Sequence, residues 1–210
     1  RLVDARGVRV NLPPDPAYAE LDVRTNFSFL EGASHPAELV AQADFLGLHA
    51  LGVADRNSLA GVVRAHAEAK KRGFGLRIGC RLQFTDGAEL LVYPRDRAAY
   101  GRLCRLLSIG KSGVGGLADP PGGAPRIVKG ETILTFDQAA ALGEGMIALA
   151  PAPAEPDAAF ETRMRAWRAA WPDDLYIAAS PLRRGNDRAR FARLDAMAGR
   201  LRTPLVATNA

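Results

Sequence analysis

Charged side chains gather where the predicted strands of this chain end. Four carboxylates and three guanidinium groups occupy these positions: Asp22, Glu31, Asp55 and Glu89, with Arg24, Arg56 and Arg81. Guanidinium groups form paired hydrogen bonds with phosphate oxygens, and a carboxylate beside them can act as a general base. One interpretation is therefore a phosphate or phosphodiester site. We favour a salt-bridged network that closes the mouth of a barrel, because the sequence pattern shows neither a nucleophile nor a metal-binding cluster.

These residues share one edge of a sheet only if most strands run parallel. Apolar and alternating segments predict strands at residues 18–25, 50–54, 76–85, 88–93, 146–150, 175–179 and 205–208. Helical segments separate most of them, and repeated βα order favours a parallel sheet covered by helices. Asp86 followed by Gly87 is typical of a tight hairpin. The fourth strand is therefore expected to run antiparallel, with Glu89 at its start on the same edge.

The fold class follows from this order of elements. No Gly-x-Gly-x-x-Gly pattern follows the first strand, which argues against a dinucleotide-binding fold. We predict an α/β fold, a distorted seven-stranded βα (TIM-like) barrel over residues 18–210. Residues 1–17 are expected to form a polar N-terminal strap, and the Gly- and Pro-rich residues 112–130 a loop.

Capping residues indicate where the helices begin. Ser34 before Pro36 predicts a helix that runs to about residue 46, and Gly73 ends a second helix. We expect Asn57 or Ser58 to cap that second helix, with an inner face formed by Leu59, Val62, Val63 and His66. Four further helices are predicted near residues 96–109, 136–142, 157–170 and 187–202.

Composition limits the compartment and the chemistry. The chain has 210 residues, a net charge of +5 and two cysteines without a Cys-x-x-Cys pair. A structural zinc site is therefore not expected, and we expect a cytoplasmic protein with no membrane-spanning segment. The positive charge either reflects proximity to phosphate groups or is an effect of an Arg-rich composition, which we favour.

Five segments carry a family resemblance. They are residues 26–40 (NFSFLEGASHPAELV), 54–66 (ADRNSLAGVVRAH), 78–82 (IGCRL), 89–108 (from ELLVYPRD into YGRLCRLLS) and 206–209 (VATN). In this order they resemble motifs of the PHP domains of bacterial family C DNA polymerases. The resemblance covers about residues 18–210 and implies a distorted seven-stranded βα barrel. Active members hold metal ions through histidines and carboxylates and hydrolyse phosphoesters, in some polymerases as a 3′–5′ exonuclease.

The chain departs from the family pattern at most ligand positions. Asp22 and Arg24 replace a His-x-His motif, Arg56 follows Asp55 in place of histidine, Arg81 replaces glutamate, and Glu89 replaces histidine. Glu31 keeps the loop acid, and Asn209 precedes Ala210 instead of an acidic residue. The resemblance thus implies a degenerate site without catalytic residues and without a bound metal. Asp22, Glu31, Asp55 and Glu89 remain as the only candidate metal ligands.

A physical hypothesis follows from the three arginines. A guanidinium group is permanently charged and has no lone pair for a metal ion. We expect Arg24, Arg56 and Arg81 to replace metal ions as counter-charges of the carboxylates, because a buried carboxylate without compensation is costly. On this hypothesis, Arg56→Ala should lower the melting temperature by several degrees.

Residues 54–66 resemble the error-prone branch of the family C polymerases more than the replicative branch. This resemblance implies a parent protein that is a DNA-directed DNA polymerase, with roles in translesion synthesis and damage-induced mutagenesis. Deoxynucleoside triphosphates and Mg²⁺ are then expected in downstream polymerase domains. Implied partners are those domains, DNA, the sliding clamp and mutagenesis accessory proteins, while this domain is inactive and structural.

Two alternatives remain at this stage. The first is a metal-dependent PHP phosphoesterase or 3′–5′ exonuclease, and the second is a binding module that contacts DNA or protein through its arginines. His35 is expected to cap a helix or to face solvent. Trp167 and Trp171 are expected to pack on a helix face, and base stacking is their less favoured use.

Overall fold

Seven strands form one sheet in the computed structural model, which describes residues 17–112 and 131–209. The strands are β1 (Ala19–Val23), β2 (Ala50–Arg56), β3 (Leu76–Gln83), β4 (Glu89–Pro94), β5 (Met146–Pro151), β6 (Leu175–Ala179) and β7 (Leu205–Ala207). They are neighbours in chain order, and every pairing is parallel except the two that involve β4. The seven strands and the antiparallel fourth strand were predicted correctly. The expected strap at residues 1–17 and the loop at residues 112–130 lie almost entirely outside the described residues.

Six helices connect these strands within the described ranges. They are α1 (Pro36–Phe45), α2 (Val62–Arg72), α3 (Arg97–Ser112), α4 (Phe136–Leu142), α5 (Ala158–Ala170) and α6 (Asp187–Leu201). The residue that caps α1 is His35, whose backbone N–H donates to the Glu38 carboxylate over 2.9 Å, so the assignment of the cap to Ser34 was wrong by one position. None of the described helices is both long and apolar enough to cross a lipid bilayer.

The start of α2 differs from the prediction. The helix begins at Val62, and neither Asn57 nor Ser58 caps it. Asn57 adopts a left-handed conformation with φ of 48°, and its side-chain oxygen accepts the backbone N–H of Gln83 over 3.0 Å. Its polar side chain therefore stabilises a turn against β3.

The inner face of α2 also differs from the prediction. It consists of Val62, Ala65 and Ala69, which follow a helical repeat. Val63 and His66 are exposed, so the expectation that they face the core was wrong.

The described residues pack in three apolar layers. The largest lies between the sheet and helices α3 to α6, a second lies between β2 and the pair α1 and α2, and a third fills the concave side of the sheet. Ala54, Leu91, Tyr93, Leu149 and Ala178 form that third layer. A sheet that is apolar on both faces and curls around its own side chains confirms the predicted distorted βα barrel.

The barrel is not closed by a backbone ladder between β1 and β7 in the described parts of the chain. Instead, the backbone N–H of Asn209 donates to the Glu20 carboxylate on β1 over 2.9 Å. Across the interior of the barrel, the hydroxyl of Tyr93 on β4 donates to the backbone oxygen of Leu21 on β1. The C-terminal edge of the sheet is thus a ring of strand ends from β1 round to β7.

Candidate functional site

Arg81 lies at the centre of the polar residues on the concave side of the sheet. It belongs to β3, opposite Leu91 of β4, and is 2% exposed. One terminal nitrogen of its guanidinium group donates to the carboxylate of Glu89. The other donates to both oxygens of Asp22, with 2.6 Å to Oδ2. A single cation therefore joins two carboxylates that come from opposite sides of β3.

A β-bulge aims Asp22 at this arginine. Between Glu20 and Val23, β1 advances three residues while its partner β2 advances only two. The extra residue lets two consecutive side chains point to one face. Leu21 packs on the concave apolar layer, and Asp22 beside it contacts Arg81. Regular alternation would have directed one of these two side chains away from the barrel interior.

A second ionic group lies closer to solvent. Arg56 pairs with Glu31 at 2.8 Å, while Arg24 lies 3.8 Å from Glu31 and 4.0 Å from Asp22. The side chains of Arg24, Glu31 and Arg56 are 25–36% exposed. Exposed ion pairs contribute about 0–1 kcal/mol to stability. The loss of several degrees expected for Arg56→Ala is therefore too large, and the strongest compensation lies at Arg81.

Asp55 is compensated by hydrogen bonds and, among the residues that the structure describes, by no arginine. It ends β2, is 1% exposed, and accepts the backbone N–H of Thr25 at 2.7 Å. It also accepts the hydroxyl groups of Thr25 and Ser28, at 2.8 and 2.7 Å. The hypothesis that arginines neutralise every carboxylate therefore does not extend to Asp55. Its charge instead fixes the loop between β1 and α1, because three charge-assisted hydrogen bonds converge on it.

The remaining candidate, Asn209, stays at the margin. Its side chain is exposed, and within the described parts of the chain its one hydrogen bond runs from its backbone N–H to Glu20. The structure therefore brings seven of the eight candidate residues into two connected ionic groups and one neighbouring hydrogen-bond network. It does not bring the side chain of Asn209 into any of them.

Burial and charge act in opposite directions on Arg81. Burial lowers the pKa of its guanidinium group, but the neighbouring carboxylates of Asp22 and Glu89 outweigh burial and hold the pKa above its ordinary value. In the neighbouring concave apolar layer, burial raises the pKa of the Tyr93 hydroxyl well above its ordinary value. Arg81 therefore stays charged, and Tyr93 stays neutral and donates its hydrogen bond, across the physiological pH range.

The residues of this site do not fit a divalent metal ion. In the described parts of the chain, no three His, Cys, Asp or Glu side chains are grouped as metal ligands would be. Asp22, Glu31 and Glu89 each contact a guanidinium group, and both oxygens of Asp55 accept hydrogen bonds. Three buried side-chain atoms of the described residues have no hydrogen-bond partner: Nε of Arg24, Nε of Arg81 and Oδ1 of Asn26. The two nitrogens have no lone pair for a cation, and one amide oxygen does not make up a coordination shell.

Sequence reasoning missed a buried arginine on the other half of the barrel. Arg190 of α6 is 0% exposed and donates to the backbone oxygens of Ala152, Pro153 and Ser180 at 2.9–3.0 Å. It thereby joins the segments that follow β5 and β6. The sequence does carry one sign of this burial. Arg190 occupies a position on the buried face of α6, in line with Leu194, Met197 and Leu201, where an apolar residue is expected.

Other residues with possible roles have structural ones. Trp167 and Trp171 are 4% and 3% exposed and pack around Phe136. Base stacking by these two rings is therefore ruled out in this fold. His35 caps α1 as one of the expected alternatives, and its ring nitrogen lies 3.1 Å from the side-chain amide of Asn26.

Comparisons with known proteins agree with this geometry. The family model of the PHP domain matches residues 20–176. "Error-prone DNA polymerase 1" of Agrobacterium fabrum is 47% identical over 194 residues, which are 92% of this chain and 16% of that protein. "Error-prone DNA polymerase" of Bradyrhizobium diazoefficiens is 46% identical over 203 residues, or 92% of this chain and 17% of that protein. The chain thus spans about one sixth of the length of these curated relatives.

A solved structure gives the same picture of the fold. A putative metal-dependent phosphoesterase from Bifidobacterium adolescentis superposes with a TM-score of 0.63 at 16% sequence identity. The match covers 92% of this chain and 87% of the other. At this identity, the likeness extends to the fold and not to the chemistry.

Proposed function

The chain belongs to the PHP domain family, and on that premise we propose that it is a non-hydrolytic PHP domain at the N-terminal end of an error-prone DNA polymerase. Its role is structural: the barrel packs against the polymerase domains that follow it in the parent protein. Synthesis of DNA past lesions, with deoxynucleoside triphosphates and Mg²⁺, belongs to those domains. Contacts with DNA, the sliding clamp and mutagenesis accessory proteins are made by the full-length protein.

The position of Arg81 is the observation that carries this proposal. Its guanidinium group lies between Asp22 and Glu89, two side chains at the metal-ligand positions of the family motifs. A divalent cation between these carboxylates would lie within a few ångströms of a permanent positive charge, and that repulsion opposes binding. With the arginine in place, the same carboxylates are neutralised without a metal, so the barrel keeps its shape while losing the means to activate water.

The parent activity is supported by the relatives. Two curated relatives that are 46% and 47% identical to the chain carry the name of error-prone DNA polymerases. The catalytic carboxylates of polymerisation are expected after residue 210. The role in damage-induced mutagenesis and the location in the cytoplasm are part of the same proposal.

A primer-extension experiment with the full-length parent protein tests both parts. One primer is matched and lies just before an abasic site in its template, and the other carries a mismatched 3′ end on an undamaged template. We expect Mg²⁺-dependent extension of both primers without removal of the mismatched nucleotide. The variant Asp55→Asn should likewise remove no mismatched nucleotide, because no excision depends on this residue.

Two outcomes contradict the proposal separately. Absence of extension with a folded wild-type parent would refute the polymerase assignment. Removal of the mismatched nucleotide that disappears in a folded Asp55→Asn variant, which still extends the matched primer, would instead show that the barrel is a working 3′–5′ exonuclease, which is the alternative function of this site.

A further inference from the structure

Large apolar side chains project from one edge of the barrel into solvent. The loop between β1 and α1 exposes 37% of Phe27, 75% of Phe29 and 90% of Leu30. Val63, in the first turn of α2, is 77% exposed. We call these four residues the rim patch. A cluster of exposed apolar residues of this kind is typical of a contact surface.

The loop that carries the patch is held rigidly. Backbone N–H groups of Glu31 and Gly32 donate to the oxygen of Ser28 over 3.0 and 2.9 Å. The hydroxyl of Ser28 is in turn bound to the buried carboxylate of Asp55. The apolar side chains at the tip are therefore displayed from a scaffold that is fixed to β2. A preorganised loop loses little conformational entropy when a partner binds.

Leu30 adopts an unfavourable backbone conformation at the tip of this loop. Its φ is 64°, in the left-handed region, where a residue with a side chain is destabilised by about 1–2 kcal/mol. At 90% exposure, its side chain makes few contacts within the domain that offset this cost. Backbone strain of this kind clusters at binding and switch sites.

The chemistry of the patch indicates what it contacts. Arg64, next to Val63, lies with its guanidinium carbon 5.7 Å from the centre of the Phe27 ring. It has no ion-pair partner among the residues that the structure describes. The complementary surface is therefore an apolar pocket bordered by a carboxylate. Phe27 and Phe29 carry rings on which a base could stack, but Arg64 already lies over the ring of Phe27. The two most exposed members of the patch, Leu30 and Val63, are aliphatic, so the patch favours a protein surface.

The connectivity of the parent protein indicates which segment covers the rim patch. The relatives are about six times longer than this chain, and its last described residue, Asn209, is bound to Glu20 on β1. The loop with the rim patch follows the end of the same strand. We propose that the rim patch is the docking surface for the polymerase segment that follows residue 210 in the parent protein. This inference rests on the proposed function, and the covalent link supplies a high effective concentration of the partner.

Thiol labelling in the full-length parent protein tests this docking. Leu30→Cys and Phe45→Cys are made singly, labelled with a maleimide in the native protein, and quantified by mass mapping of the peptide that contains each new cysteine. Phe45 is the matched control because it is 82% exposed and lies at the other end of α1, near the opposite edge of the barrel. We expect the cysteine at position 30 to react about tenfold or more slowly than that at position 45, since reaction requires transient opening of the interface.

Each other outcome overturns the inference. Equal rates at the two positions, fast or slow, would show that the rim patch is not selectively covered. A cysteine at position 30 that reacts rapidly until a single-stranded oligonucleotide is added would identify a nucleic-acid surface. Primer extension by the wild-type parent reports separately on the proposed function, so an inactive polymerase with a protected position 30 would refute that function and leave the docking intact.

Discussion

Replacement of Arg81 by methionine tests the electrostatic argument most sharply in terms of stability. Arg81→Met keeps a long side chain in the barrel but removes the cation between Asp22 and Glu89. The Asp22 side chain is only 2% exposed, so its charge is left buried, whereas Glu89 is 32% exposed and regains water. Removing one partner of a buried ion pair costs about 3–5 kcal/mol. In a domain of this size, each kcal/mol lowers the melting temperature by about 2–4 °C, so we expect a fall of roughly 10 °C.

The assay is thermal unfolding of the 210-residue chain, followed by circular dichroism. Asp22→Asn combined with Arg81→Met removes the buried charge, and this double variant should regain a large part of the loss. Arg56→Ala, which breaks an exposed pair, is the control, with an expected fall of about 3 °C or less. Two results would show that Arg81 does not neutralise Asp22 as described. One is a melting temperature of Arg81→Met within about 2 °C of that of the unsubstituted 210-residue chain. The other is a double variant that is no more stable than Arg81→Met.

Three further predictions concern neighbouring positions. Asp55→Ala leaves a buried N–H group and two hydroxyl groups without their acceptor, and urea unfolding should show a loss of about 3–5 kcal/mol; a loss below about 1 kcal/mol would contradict the network. Gly79→Ala should destabilise the chain by about 1–3 kcal/mol because a Cβ there would overlap the buried ring of Tyr93. Gly101→Ala, in open space within α3, should instead stabilise it by about 0.5–1 kcal/mol. Burial raises the pKa of Cys80 to about 12, so iodoacetamide at pH 8 should modify the partly exposed Cys104 first, and equal rates would contradict that burial. The unfolded thiol ionises near pH 8.5, so the contribution of Cys80 to the free energy of unfolding should decline as the pH rises from about 9 towards 12.

The fold was predictable because its signals are local and repeated. Apolar strands alternate with helical stripes, and Asp86-Gly87 marks the first of two reversals of direction, which the structure places between β3 and β4 and between β4 and β5. The start of α2 was not predictable in the same way. Asn57 is a common helix cap, but here its side chain binds Gln83 of the neighbouring strand, a partner that is distant in sequence.

The composition of the charged cluster could be read from the sequence, but its pairing could not. Parallel strand ends bring Asp22, Arg81 and Glu89 to one region, yet the bulge in β1 decides that Asp22 faces Arg81. The partners of Asp55 are two hydroxyl residues in a loop, which carry no charge pattern. Among the described residues, Arg190 donates hydrogen bonds to backbone oxygens and not to carboxylates, so the pattern of charges in the sequence does not reveal it.

The central claim is that a guanidinium group stands where active members of the family hold metal. Elemental analysis of the purified 210-residue chain, with a phosphoesterase assay on the same sample supplemented with Mn²⁺ or Zn²⁺, tests it directly. We predict no stoichiometric metal and no hydrolysis above background. Bound metal at one or more equivalents, with hydrolysis that is abolished by Asp55→Asn, would contradict the account and make the barrel a working phosphoesterase.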